Sequence, residues 1–89
     1  MLLFYGQRFL KQLSRFRSKD ALLKLVQLKL NYLATDPHHP SLRLHKLSGK
    51  ARSSYSISIN SLIRVIAYLR KDGWHLFSIG THDQVYRDN

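Results

Sequence analysis

The chain has 89 residues, enough for one domain spanning 1–89 with a modest core. The lack of cysteine excludes a disulfide framework and thiolate metal centres, and no apolar run approaches the roughly 20 residues of a membrane helix. Fifteen Lys and Arg against five Asp and Glu give a net charge of +10, which points to a polyanion or an acidic partner. The first residues, "MLLFYGQRFLKQ", place no basic stretch ahead of their apolar run and make a poor secretory signal. These features fit a cytoplasmic protein.

The chain opens with a short apolar stretch, Leu2 to Tyr5, that suits a strand. Phe9, Leu13 and Phe16 then recur at helical spacing, with Lys11, Ser14 and Arg15 on the other side. "RSKD" interrupts, and Ser18 or Asp20 can cap a second helix. Its stripe is Leu23, Val26, Leu30 and Leu33, and Pro37 and Pro40 end it. The expectation is two N-terminal helices in an αα-hairpin.

The period then changes. Leu42 and Leu44 alternate with Arg43 and His45, and Tyr55, Ile57 and Ile59 alternate with serines, as in half-buried strands. "LIRVIAYLR" is apolar on both faces except at Arg64 and reads as a central strand. Asp72-Gly73 is a hairpin turn signal, and "WHLFSIG" is the returning strand. The expected class is therefore α+β: two helices packed on a twisted, mainly antiparallel sheet of 3–5 strands.

Three residues stand out chemically. Arg64, inside an apolar run, must meet a carboxylate such as Asp83 or Asp88 or lie on a solvent-facing side, where its fork of donors suits a phosphate. The second reading predicts an exposed Arg64 on the open sheet face near the tail. His82, just past the last strand, is either a turn residue or a general acid or base. Tyr86 either packs on the sheet or offers a ring to a base. His38, His39 and His45 are close in sequence, but no carboxylate completes a zinc spacing, so neither metal nor cofactor is expected. His45 lies beside Lys46 and can approach a phosphate. No glycine-rich phosphate loop or nucleophile elbow occurs.

The segment "HPSLRLHKLSG", followed by "YSISIN", "IRVIAYL", a D-G hairpin and "SIGTHDQVY", resembles the RelE/ParE superfamily of type II toxins over residues 7 to 87. It looks closest to the RelE/YafQ-like branch. The resemblance implies a metal-independent endoribonuclease, an mRNA interferase. Such an enzyme enters the ribosomal A site and cuts mRNA by attack of the 2′-hydroxyl on the adjacent phosphate, so inhibiting translation. It implies His82, Arg64, His45 and Tyr86 as the catalytic set, and Lys46, Lys50, Arg52 and Arg87 as contacts to RNA or ribosome. It also implies an acidic cognate antitoxin, with operator DNA bound only through the toxin–antitoxin complex. The chain departs from the family pattern at Ile63, where an aromatic is common, and at Ser58 and Asn60. Related branches frame two other expectations, a ParE-like inhibitor of gyrase and a non-catalytic remnant that only binds antitoxin and DNA.

Overall fold

A computed structural model describes residues 1–47 and 53–88. Its elements run β1 (Leu2–Tyr5), α1 (Gln7–Leu13), a 3₁₀ turn (Ser14–Phe16), α2 (Asp20–Thr35), a second 3₁₀ turn (Pro40–Leu42), β2 (His45–Lys46), β3 (Ser54–Ser58), β4 (Ile63–Arg70), β5 (Gly73–Thr81) and α3 (His82–Asp88). The sheet order is β1-β5-β4-β3-β2. Among the described residues the β1–β5 pair is parallel and the other three pairs are antiparallel.

The α+β class and mainly antiparallel sheet follow the sequence expectation, and a strand does form at Leu2–Tyr5. The N-terminal half differs from a simple αα-hairpin. A strand comes first, and α1 spans only seven residues before tightening into the 3₁₀ turn. Helix α1 packs chiefly on β5, to which β1 has already delivered it. The link is specific. Gly6 donates its amide to the Leu76 carbonyl at 3.0 Å, and a Cβ there would lie 2.7 Å from that oxygen. Beyond the end of β1, the Ile79 amide donates to Oε1 of the buried Gln12 at 2.9 Å, so α1 takes over a backbone partner that β1 no longer supplies.

The main core lies on one face of the sheet. Phe9, Val26, Leu30 and Leu33 meet Ile57, Ile59, Ile63, Val65, Ala67, Trp74, Leu76 and Ile79. The strand residues alternate, so Arg64, Ile66 and Tyr68 point to the other face. The alternation expected around Leu42 does not become a strand. Pro40 starts a 3₁₀ turn, Arg43 takes the left-handed region with φ 45°, and the described pairing with β3 begins at His45 and Lys46. The Asp72-Gly73 hairpin forms as expected, with Gly73 at φ 142°. Among the described residues, no helix is long and apolar enough to cross a membrane.

Candidate functional site

The face opposite the main core is assembled from cross-strand rows. One row holds Ser58, Arg64 and Gly80; the next holds His45, Ser56, Ile66 and Ser78. Side chains directly opposite across a ladder share a face. Arg64 and His45 therefore lie on the same face, with Cα atoms about 12 Å apart from strand spacing and rise.

Past Gly80 the chain turns into α3, which packs on β5 and β4. The helix start is fixed by a reciprocal cap. The Thr81 amide donates to Gln84 Oε1 at 2.9 Å, and the Gln84 amide donates to Thr81 Oγ1 at 3.3 Å. Gly80 lets this pair close down, since a Cβ at that position would stand 2.7 Å from Gln84 Oε1. Val85 becomes fully buried and anchors the helix. Ile66, equally buried on the same side of the sheet, stands outside the main core. The serines flanking it, Ser56 and Ser78, are buried with hydroxyls that have no hydrogen-bond partner.

Arg64 is half-buried rather than mostly exposed. It shares a cleft of about 400 Å³ with Lys29, Arg43, Ser41, Ser58, Asn60 and Ser61. Among the described side chains, no acidic one lines this cleft. Among the described side chains Arg64 has no carboxylate partner; Asp83 instead faces His82 at 3.5 Å, and the Asp88 side chain lies outside those described. Lys29 is steadied by donating to the Ser41 carbonyl at 3.1 Å. The cleft floor is shaped by Asn60, whose Oδ1 accepts from the amides of Leu62 and Ile63 at 2.9 and 2.7 Å, and whose carbonyl accepts from Ser58 Oγ at 3.0 Å. Three cations without an acid form an arrangement whose natural occupant is an anion.

His82 is exposed, and its ring lies 4.3 Å from the half-buried ring of Tyr86, one helical turn on. His45 is exposed at the β2 edge, with Nδ1 3.3 Å from the Arg43 carbonyl. The fold thus places Arg64 and His45 on one face of the sheet and His82 and Tyr86 on the helix that packs on β4 and β5, but His45, His82 and Tyr86 do not line the Arg64 cleft. Lys46 does not share the face of Arg64 and His45. Its pairing partner is Tyr55, whose ring meets Trp74 in the main core, so Lys46 belongs to the opposite face. Lys50 and Arg52 lie outside the described residues, and Arg87 falls in α3.

Sequence reasoning missed Lys29 and Arg43. Lys29 reads as the polar side of a helix, and Arg43 as one alternating residue of a strand. Only the left-handed turn at Arg43 and the approach of α2 place both beside Arg64. No group of three His, Asp or Glu side chains suited to a metal occurs among the described residues.

No family model matches the chain, and no curated protein matches it significantly. Solved structures do. The chain is similar to the toxin fold in the Escherichia coli DinJ–YafQ toxin–antitoxin complex, with a TM-score of 0.82, 15% identity and 96% of each chain covered. A copper-bound mutant toxin from Helicobacter pylori matches with a TM-score of 0.74 and 24% identity over 96% of this chain and 99% of that one. The YoeB–YefM complex of Staphylococcus aureus matches with a TM-score of 0.75 and 14% identity over 92% and 97%. The chain has the fold of the RelE, YafQ and YoeB toxins.

Proposed function

We propose that the protein is the toxin of a type II toxin–antitoxin module, acting as a ribosome-dependent mRNA endoribonuclease. One observation carries this reading: a half-buried arginine with no carboxylate partner among the described side chains, flanked by Lys29 and Arg43, on the sheet side that also carries His45, His82 and Tyr86. The cations hold the scissile phosphate and balance the charge that builds on its oxygens. The 2′-hydroxyl of the preceding nucleotide attacks that phosphate. One histidine takes its proton and the other protonates the departing 5′-oxygen, leaving a 2′,3′-cyclic phosphate and a 5′-hydroxyl. No metal is needed for these transfers. The residues supply acid, base and cation, while alignment of the 2′-hydroxyl is left to the ribosome, where mRNA is already held.

The partner in this reading is an acidic antitoxin. The structure neighbours include toxins crystallised with antitoxins, DinJ in one case and YefM in another. This chain has a surface suited to such a partner. Tyr5, Leu10 and Leu28 are exposed around two adjoining clefts of about 480 and 410 Å³, which share Tyr5, Gln27 and Leu30. Lys24 lines the first. An apolar stripe flanked by acidic side chains matches both the clefts and the net charge of +10.

The test is induced expression with pulse labelling, followed by cleavage of mRNA on purified ribosomes in EDTA. Methionine incorporation should stop while thymidine incorporation continues. His82→Ala should lose about 10²- to 10⁴-fold in cleavage rate while keeping its fold. Arrest of thymidine incorporation instead, or full toxicity of folded His82→Ala, would overturn the reading.

A further inference from the structure

The same sheet face carries a second feature, at the end away from Arg64. Ser54, Tyr68, His75 and Phe4 form one row across β3, β4, β5 and β1. The β4–β5 register then skips Phe77, which the bulge turns toward this row. The result is a packed set of rings. Phe4 and His75 stack with centroids 4.6 Å apart and planes 15° from parallel, and Tyr68 meets Phe77 edge-on at 5.5 Å. Two guanidinium groups lie over these rings, Arg8 at 5.2 Å from Phe77 and Arg70 at 5.7 Å from Tyr68. The His75 ring is fixed by a 2.7 Å hydrogen bond to Asp72. A cleft of about 320 Å³ opens between Phe4, Arg8, Tyr68, His75 and Phe77. Phe4 is 36% exposed on an edge strand, so a planar group can reach the stack from solvent.

Aromatic rings interleaved with arginine suit nucleobases beside phosphates. Tyr68 is four residues along β4 from Arg64, a span of about 13 Å, which a few nucleotides of extended strand cover. We infer that the Phe4–His75–Tyr68–Phe77 surface is a base-stacking subsite that holds single-stranded RNA to one side of the Arg64 cleft. The inference rests on the reading of the protein as an RNA-acting toxin. RNA is favoured over a protein segment because both groups laid on the rings are cationic, and Asp72 is bonded to His75.

Binding is read by fluorescence polarisation with 2′-O-methyl oligonucleotides, which cannot be cleaved, so it is independent of catalysis. The full chain is compared with Phe4→Ala, His75→Ala and Phe4→Trp, each checked by thermal melting. An intact strand should bind more tightly than the same strand with abasic positions. Phe4→Ala and His75→Ala should each weaken intact-strand binding by about 5-fold or more and remove the preference over the abasic strand. Phe4→Trp should retain both. Equal binding of intact and abasic strands, or unchanged binding by both folded alanine variants, would overturn the subsite. So would loss of antitoxin binding with RNA affinity untouched, which would make this a protein-docking surface. Failure of the wild-type chain to cleave ribosome-bound mRNA would count against the proposed activity and leave the stacking measurement standing.

Discussion

Replacing Arg64 by Gln separates two roles that sequence inspection leaves entangled. If Arg64 were one half of an internal ion pair, its removal would strand a carboxylate. Breaking such a buried pair costs about 3–5 kcal/mol, and each kcal/mol shifts the melting point of a domain this size by about 4–8 °C. The ion-pair role therefore demands a fall of more than ~12 °C. In the structure Arg64 has no acidic partner among the described side chains and shares its cleft with Lys29 and Arg43. Removing one of three like charges should leave the melting point unchanged or raise it slightly. Activity should move the other way. A preorganised donor to a developing oxyanion is worth about 10²- to 10³-fold in rate, or roughly 2.7–4 kcal/mol. The assay is differential scanning fluorimetry beside single-turnover cleavage of mRNA on ribosomes. Arg64→Gln that melts more than ~12 °C early, or that melts normally and cleaves at the wild-type rate, would refute the assignment of Arg64 to phosphate.

Other perturbations follow from the same geometry. Gln84→Ala removes half of the reciprocal cap on α3 and should cost about 0.5–2 kcal/mol, read as faster amide exchange confined to α3 together with reduced growth arrest; exchange like that of wild type would show that Val85 alone holds the helix. Gly73→Ala forces a Cβ toward the Leu2 carbonyl at a positive φ, so at least ~1–3 kcal/mol of strain is expected, with a lowered melting point and loss of amide protection in β1. Ser78→Ala removes a buried hydroxyl that has no partner; since such a group costs about 1–3 kcal/mol to bury, the melting point should stay level or rise, and a clear fall would reveal a hydrogen bond to that hydroxyl.

Much of the architecture follows from local sequence. Alternation in "YSISI", the apolar run around Arg64 and the Asp72-Gly73 turn specify β3, β4 and β5, because strand period and turn chemistry act over a few residues. The helical tail was also legible, though unread: Thr81 and Gln84 are a capping box, a T-x-x-Q signal at the start of α3. The sequence also marks Arg64 as anomalous, since an unpaired guanidinium cannot share the face of Ile63 and Val65.

Tertiary structure decided the rest. Which residues accompany Arg64 depends on pairing between segments distant in sequence. The register Ser58–Arg64–Gly80 brings the two hairpins together, and α2 and the left-handed Arg43 add cations that no local pattern ties to the site. Lys46 shows the converse. It is next to His45 in sequence, yet a strand turns successive side chains to opposite faces, so its partner is Tyr55 and its side of the sheet is the other one. The row of Phe4, His75 and Tyr68 needs a parallel pairing between the first strand and the last, which closes across about 70 residues of chain. Local preference chose the elements. Which side chains share a site was set by long-range register, because only the buried face of the assembled sheet penalises a strand that slips by one residue.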